Sequence, residues 1–175
     1  MALSSLSDMR IVERRNIQAL MRRLDDVALV QTCKGTTTQT STSTSLTDIT
    51  GLSFDVESDV MYHFKFMGTF QSASLTNGLG LRVTPPASPT YWAVRGTIQQ
   101  ALAGTDSYYD QSYTVTGGTT LSTDVPLANT NAPWFVEGLV QPSVAGTLVL
   151  SFRSENAGTQ VQVNAGSLGI LTRCG

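Results

Sequence analysis

A single histidine, His63, limits the acid–base chemistry open to this chain. A Ser–His–Asp triad would have to use it, because the sequence holds no other imidazole. Ser and Asp are abundant, so their presence adds nothing. His63 sits within VMYHFKFMGTF on the polar side of the alternation, with Met61 and Lys65, where a structural or surface role is expected. Asp55, Glu57 and Asp59 alternate toward the end of one strand and into a turn. Carboxylates so spaced can form a glycosidase pair or a calcium site. Three on one strand face more often stay solvated and keep an edge from pairing wrongly. Cys33 and Cys174 with one histidine are too few for a structural zinc site. A disulfide between them is conceivable if the domain's ends meet, but idle thiols are the expectation in a reducing cytosol. Tyr91, Trp92, Tyr108, Tyr109 and Tyr113 could make a sugar-stacking platform. Trp92 and Trp134 lie in apolar strands, however, and read as core or interface residues. No phosphate-binding or dinucleotide glycine motif occurs, and no H-E-x-x-H. These residues predict a protein without catalytic groups, cofactor or metal.

The composition agrees. Hydrophobic residues make up 41% of the 175, enough for a core, while charged residues make up only 14%. An average soluble domain carries roughly 25% charged residues. Thr, Ser and Gly take their place, which suits sheet surfaces. It also suits subunits whose faces are covered by neighbours, because ionised groups are costly to desolvate. The net charge of −2 argues against nucleic-acid binding through the whole surface. No stretch approaches the ~20 apolar residues of a membrane span. Arginines interrupt every candidate for a signal peptide's apolar region, so the chain is expected to be made and kept in the cytosol unless an assembly carries it out.

The elements that would position these residues fall into three parts. Residues 1–31 read as a helix, opened by the S-x-x-D capping box of Ser5 and Asp8. Ile17, Leu20, Leu24 and Val27 make a narrow apolar stripe. Arg10, Arg14, Arg15, Arg22 and Arg23 hold five of the nine arginines, partly offset by Asp8, Glu13, Asp25 and Asp26. So short a stripe is marginal alone and must be buried on something. The stripe, with Arg14, Arg22 and Arg23, is the candidate partner-binding surface. Residues 32–45 read as an extended Thr/Ser linker that cannot form a core. From residue 46 to 175 the pattern is short strands between turn signals, about eight of them. Leu52, Phe54 and Val56 alternate after a Gly break. Val60, Tyr62, Phe64 and Phe66 share one face, and Asn77-Gly78 signals a tight turn. The stretch from Gly104 to Asn131 is weakly patterned, with a possible strand at Tyr113–Val115. Eight strands without helical interruption predict an antiparallel jelly-roll sandwich. An immunoglobulin-like sandwich is the alternative, but its Cys…Trp…Cys arrangement is absent.

Several of these segments resemble a family of virion structural proteins of tailed bacteriophages. The likeness is carried by L-x-D-x-T-G-L-x-F-x-V (Leu46 to Val56), Y-x-F-x-F (Tyr62 to Phe66) and N-G-L-x-L-x-V (Asn77 to Val83). It continues through P-P-x-x-P (Pro85 to Pro89), G-T-L-V-L-S-F-R-S (Gly146 to Ser154) and S-L-G-I-L (Ser167 to Leu171). It covers roughly residues 44–172. The resemblance implies a jelly-roll domain similar in shape to the tumour-necrosis-factor fold, often trimeric, behind a short N-terminal segment. It implies a head decoration or cement protein, a head fibre, or a tail or baseplate component, located in the virion. The partners would be further copies of the chain and the major capsid protein or another virion protein. No catalytic residues transfer. A carbohydrate-binding module of a tail fibre is the alternative.

Overall fold

A computed structural model of the chain describes residues 30–102, 105–113 and 117–174, with side chains for 30–101 and 117–174. Two of its central strands follow an inside–outside alternation. In β4 (Tyr62–Ser72), Tyr62, Phe64, Phe66, Phe70 and Ser72 are buried while His63 faces water. In β9 (Ala132–Gln141), Ala132, Trp134, Val136 and Val140 are buried. Period-two burial of this kind needs one dry face and one wet one.

The described residues form two antiparallel sheets. The larger runs β1 (Val30–Lys34), β12 (Leu168–Arg173), β4, β9, β6 (Tyr91–Leu102) and β7 (Thr105–Tyr113). Beyond the end of β12, β11 (Val161–Val163) takes over the same edge of β4 and pairs outward with β2 (Gln39–Ser41). The smaller sheet runs β3 (Thr47–Val56), β10 (Gly146–Ser154), β5 (Leu79–Thr84) and β8 (Thr120–Leu121). Phe54 of the small sheet meets Phe66 of the large one, ring centroids 5.3 Å apart, so the two inner faces share one core. Each large side chain buried there contributes about 1.5–3 kcal/mol in gross terms.

The pairings are nested. β1 pairs β12, β2 pairs β11, β3 pairs β10, β4 pairs β9, β5 pairs β8 and β6 pairs β7. The chain therefore runs as one long antiparallel double strand that turns back between β6 and β7. That double strand is rolled so that β12 and β11 also meet β4, β10 meets β5 and β9 meets β6.

Inside the large sheet, aromatics face glycines. Phe64 is paired with Gly138, Phe66 with Gly169 and Trp134 with Gly68. A Cβ on these glycines would come within 2.8 Å of Phe64, 2.9 Å of Phe66 and 2.8 Å of Trp134. The small partner makes room for the ring, so large and small interdigitate at core density. Gly51 has a second reason to be glycine. Its φ is +82°, and a Cβ would lie 2.7 Å from the Lys34 carbonyl oxygen of β1. This is the Gly break between Ile49 and Leu52, where β3 bulges against β10 and restarts its alternation with Leu52, Phe54 and Val56 buried.

Three expectations are corrected. The 32–45 segment is not a free linker, and the β-domain does not wait for residue 46. Val30 and Gln31, placed in the helical arm, already belong to β1, and β2 lies inside the Thr/Ser stretch. An edge strand whose backbone is paired on one side needs no apolar face; in β1 only Cys33 reaches the core. Of the possible strand at Tyr113–Val115, only Tyr113 is among the described residues, and it is the last of a longer strand, β7, which forms a hairpin with β6. Its sequence, TDSYYDQSY, carries no apolar alternation to announce it. Asn77-Gly78 is not itself a hairpin turn. It leads into β5, with Asn77 buried.

Candidate functional site

The residues best suited to chemistry are scattered. His63 is exposed on the outer face of β4, across from Leu139 and Thr172. Asp55 accepts a 3.3 Å hydrogen bond from Thr147 Oγ1, and Glu57 lies 3.8 Å from Arg173 Nη1. Asp59 takes a left-handed backbone turn, φ 61°, with its N–H bonded to the Pro142 carbonyl. All three carboxylates face solvent. Among the described residues no group of three His, Cys, Asp or Glu side chains is gathered to hold a metal.

Cys33 and Cys174 are both free. Cys33 is paired with Gly169, five residues from Cys174 along the chain. At about 3.3 Å per residue that puts the thiols roughly 16 Å apart, well outside disulfide reach. Trp92 (8% exposed) and Trp134 (2%) are core residues, so neither can serve a surface sugar platform. Tyr91, 46% exposed, remains at the surface. Ile17, Leu20, Leu24, Val27, Arg14, Arg22 and Arg23 lie outside the described residues.

What the fold does gather lies on the outer face of the large sheet, in two zones. The first is an apolar band. Leu168 of β12 stands opposite Met67 of β4, which stands opposite Phe135 of β9. The neighbouring rows add Ile170 and Leu139. All five are half-buried on a face that alternation turns toward solvent. Charged side chains share the middle row with Ile170: Lys65 Nζ lies 3.5 Å from Glu137 Oε2 and 5.2 Å from the centre of the Phe135 ring, and Arg95 of β6 stands opposite Glu137.

The second zone is a cluster of neutral polar side chains at the end of the same face. Register puts Gln162 of β11 opposite Gln71 of β4, and Thr69 lies one outward step from Gln71. Gln71 Nε2 donates to Asn131 Oδ1 at 2.8 Å. Asn164 Nδ2 donates to the same oxygen at 2.9 Å and to Thr69 Oγ1 at 2.9 Å. Gln162 Nε2 donates to Gln71 Oε1 at 3.0 Å and to Asn164 Oδ1 at 3.1 Å. Asn131 also lines a cleft of about 200 Å³, together with Gln99, Thr130, Pro126, Leu127 and Ala132. Sequence reading missed this cluster. Amides have no spacing signature, and its members come from three separate segments.

A third polar knot is buried and structural. Asn77 Oδ1 accepts from Ser154 Oγ at 3.1 Å and from the Asn156 N–H at 2.9 Å, while Asn77 Nδ2 donates to Ser72 Oγ at 3.1 Å. The Gly78 N–H donates to Glu155 Oε2 at 3.1 Å. Asn77, Ser72 and Ser154 are all at most 1% exposed, so these bonds satisfy groups that water cannot reach.

No protein-family model matches this chain, and no curated protein sequence does. Among solved structures it is similar to the infectious bursal disease virus Gx strain, at 10% identity and a TM-score of 0.26 over 84% of this chain. It is also similar to the infectious bursal disease virus VP2 subviral particle, at 9% identity and a TM-score of 0.24 over 85% of this chain. The chain spans 36% and 37% of the length of those two chains. Overlaps at this TM-score specify neither ancestry nor role.

Proposed function

We propose that this chain is a non-enzymatic structural subunit of a tailed-phage particle, a jelly roll that associates as a homotrimer and attaches through its N-terminal arm. The observation that carries the reading is the apolar band on the outer face of the large sheet. Met67, Phe135, Leu139, Leu168 and Ile170 stand in adjacent rows there, around the charged row of Lys65, Glu137 and Arg95. An isolated sandwich gains nothing by turning such a face to water. Further copies of the same chain would cover it, and closed cyclic assembly is the usual way to do so. Lys65 and Glu137 in its midst give the face both signs of charge, which suits contact between copies.

The jelly-roll reading rests on the nested pairings. A double strand rolled into two sheets, with β1–β12–β4–β9 in one and β3–β10–β5–β8 in the other, supports that reading. The β6–β7 hairpin then extends the first sheet past β9. The arm's role follows from its sequence: a narrow apolar stripe with basic flanks that needs a partner to be stable. Weak single attachments become useful when three copies act together.

Light scattering of the full chain tests the assembly. The expected mass is about three chains. The double change Met67→Glu with Phe135→Glu should leave the inner core untouched and release monomers. A wild-type chain that stays monomeric at high micromolar concentration defeats the proposal.

A further inference from the structure

We infer that the neutral polar cluster around Asn131, with the cleft beside it, is a binding site for a neutral oligosaccharide. The cluster begins one outward step along β4 from Met67, at Thr69, and its test does not depend on the oligomeric reading.

Three observations converge. The first is organisation. Side chain to side chain hydrogen bonds are a minority in folded proteins, roughly 10–15% of the total. Here Thr69, Gln71, Asn131, Gln162 and Asn164 are joined by an unbroken set of them on a solvent-facing surface. Exposed amides that hold one another need little further ordering when a ligand arrives.

The second is the unused capacity. An amide offers two N–H donors and an oxygen with two lone pairs. Asn131 Oδ1 accepts twice, from Gln71 and Asn164, which turns its Nδ2 outward with no partner among the described residues. Gln162 Nε2 donates twice and leaves Gln162 Oε1 unengaged among the described residues. Gln71 Oε1 accepts from Gln162 and has a second lone pair to offer. The network thus presents fixed donors and fixed acceptors side by side. A pair of neighbouring sugar hydroxyls, each both donor and acceptor, complements that array. An ion does not, since among the described residues no charged side chain belongs to the cluster or lines the cleft.

The third is the mixed lining of the cleft, polar and apolar together. Gln99, Thr130 and Asn131 line it together with Pro126, Leu127 and Ala132, around about 200 Å³. Leu127 is 60% exposed, an unusual setting for a leucine on a polar rim. A sugar ring has a C–H face and a hydroxyl edge. The Pro126–Leu127 wall fits the first, and the amides fit the second.

Titration calorimetry of the full chain tests this with maltohexaose, cellohexaose, mannohexaose and chitohexaose, and with polygalacturonate as an anionic control. At least one neutral oligosaccharide should bind, and polygalacturonate should not. The double variant Gln71→Ala with Asn131→Ala should weaken that binding about tenfold or more. Its melting temperature and its mass in solution should match the parent's, because both side chains lie outside the core. Leu127→Asp should weaken binding without touching the amide network. The inference is overturned if no neutral oligosaccharide binds at millimolar concentration, if only polygalacturonate binds, or if the double variant binds as well as the parent.

Discussion

Phe66 and Gly138 illustrate the two ways in which the large sheet is sensitive to single residues. Phe66 is fully buried, with ring centroids 5.3 Å from Phe54 and 6.1 Å from Phe64. Phe66→Ala removes transfer energy and leaves a cavity between the sheets, so about 3–5 kcal/mol should be lost in urea unfolding. Gly138→Ala fails by the opposite route. The new Cβ would meet the Ala93 carbonyl oxygen at 2.2 Å and the Phe64 ring at 2.8 Å. Overpacking of that kind should cost about 1–3 kcal/mol or more. His63→Ala, on the outer face, should change stability by less than about 0.5 kcal/mol. Cys33 adds a pH dependence. Burial pushes its thiol above the ordinary 9.0, against backbone hydrogen bonds at Ser53 and Gly169 that pull it down. As pH climbs, the unfolded thiol ionises first. Below about pH 9 both states keep the proton and Cys33 contributes no slope; above it the unfolded state gains, and stability falls. Unfolding measured between neutral pH and pH 10 should show this extra loss in the parent and not in Cys33→Ala. Mass spectrometry with and without reductant should show no Cys33–Cys174 bridge.

Among the elements, β1 decides where the arm may be cut. Deleting residues 1–29 spares every strand described, so the β-domain should stay folded and soluble while losing its place in the assembly. Deleting residues 1–34 also removes β1 and bares the β12 edge that Val30–Lys34 covers. It strips the backbone that packs over Gly51 as well. That shorter product should melt lower and tend to aggregate, as an unpaired edge does. Equal melting curves for the two truncations would contradict this role of β1. The contrast also marks what was legible in the sequence. β3, β4, β9 and β10 announce themselves because aromatic and aliphatic residues alternate with polar ones over a dry and a wet face. β1, β2 and β7 do not, because their polar sequences are held by backbone pairing, which leaves no mark in residue type. The amide cluster was invisible for a related reason. Residues 69–71, 131 and 162–164 become neighbours only through strand register. The buried place of Trp134, by contrast, could be read from its apolar surroundings.

At the scale of the whole molecule, the nested pairings bear on time as well as shape. β1 finds its partner in β12, the last strand of the described chain, and β3 finds its partner in β10. Only the β6–β7 hairpin is local in sequence. Most of the loop entropy must therefore be lost before the stabilising contacts form. Refolding from urea should take milliseconds to seconds or longer, in the range of domains dominated by non-local pairs. On the ribosome, β1 through β5 emerge with their partners still unmade, so the nascent chain carries unpaired edges until its final residues are free. The same nesting can be turned inside out. Because Val30 lies opposite Thr172, the two ends of the domain are neighbours and a short linker can join them. A circular permutant so joined, and opened between β6 and β7, turns the most distant pair of strands into a local hairpin. It also makes β6 and β7, local in the parent, the most distant pair, so folding should start from the β1–β12 end without becoming faster overall. Stopped-flow fluorescence of the buried tryptophans, in the parent and the permutant side by side, compares the two rates.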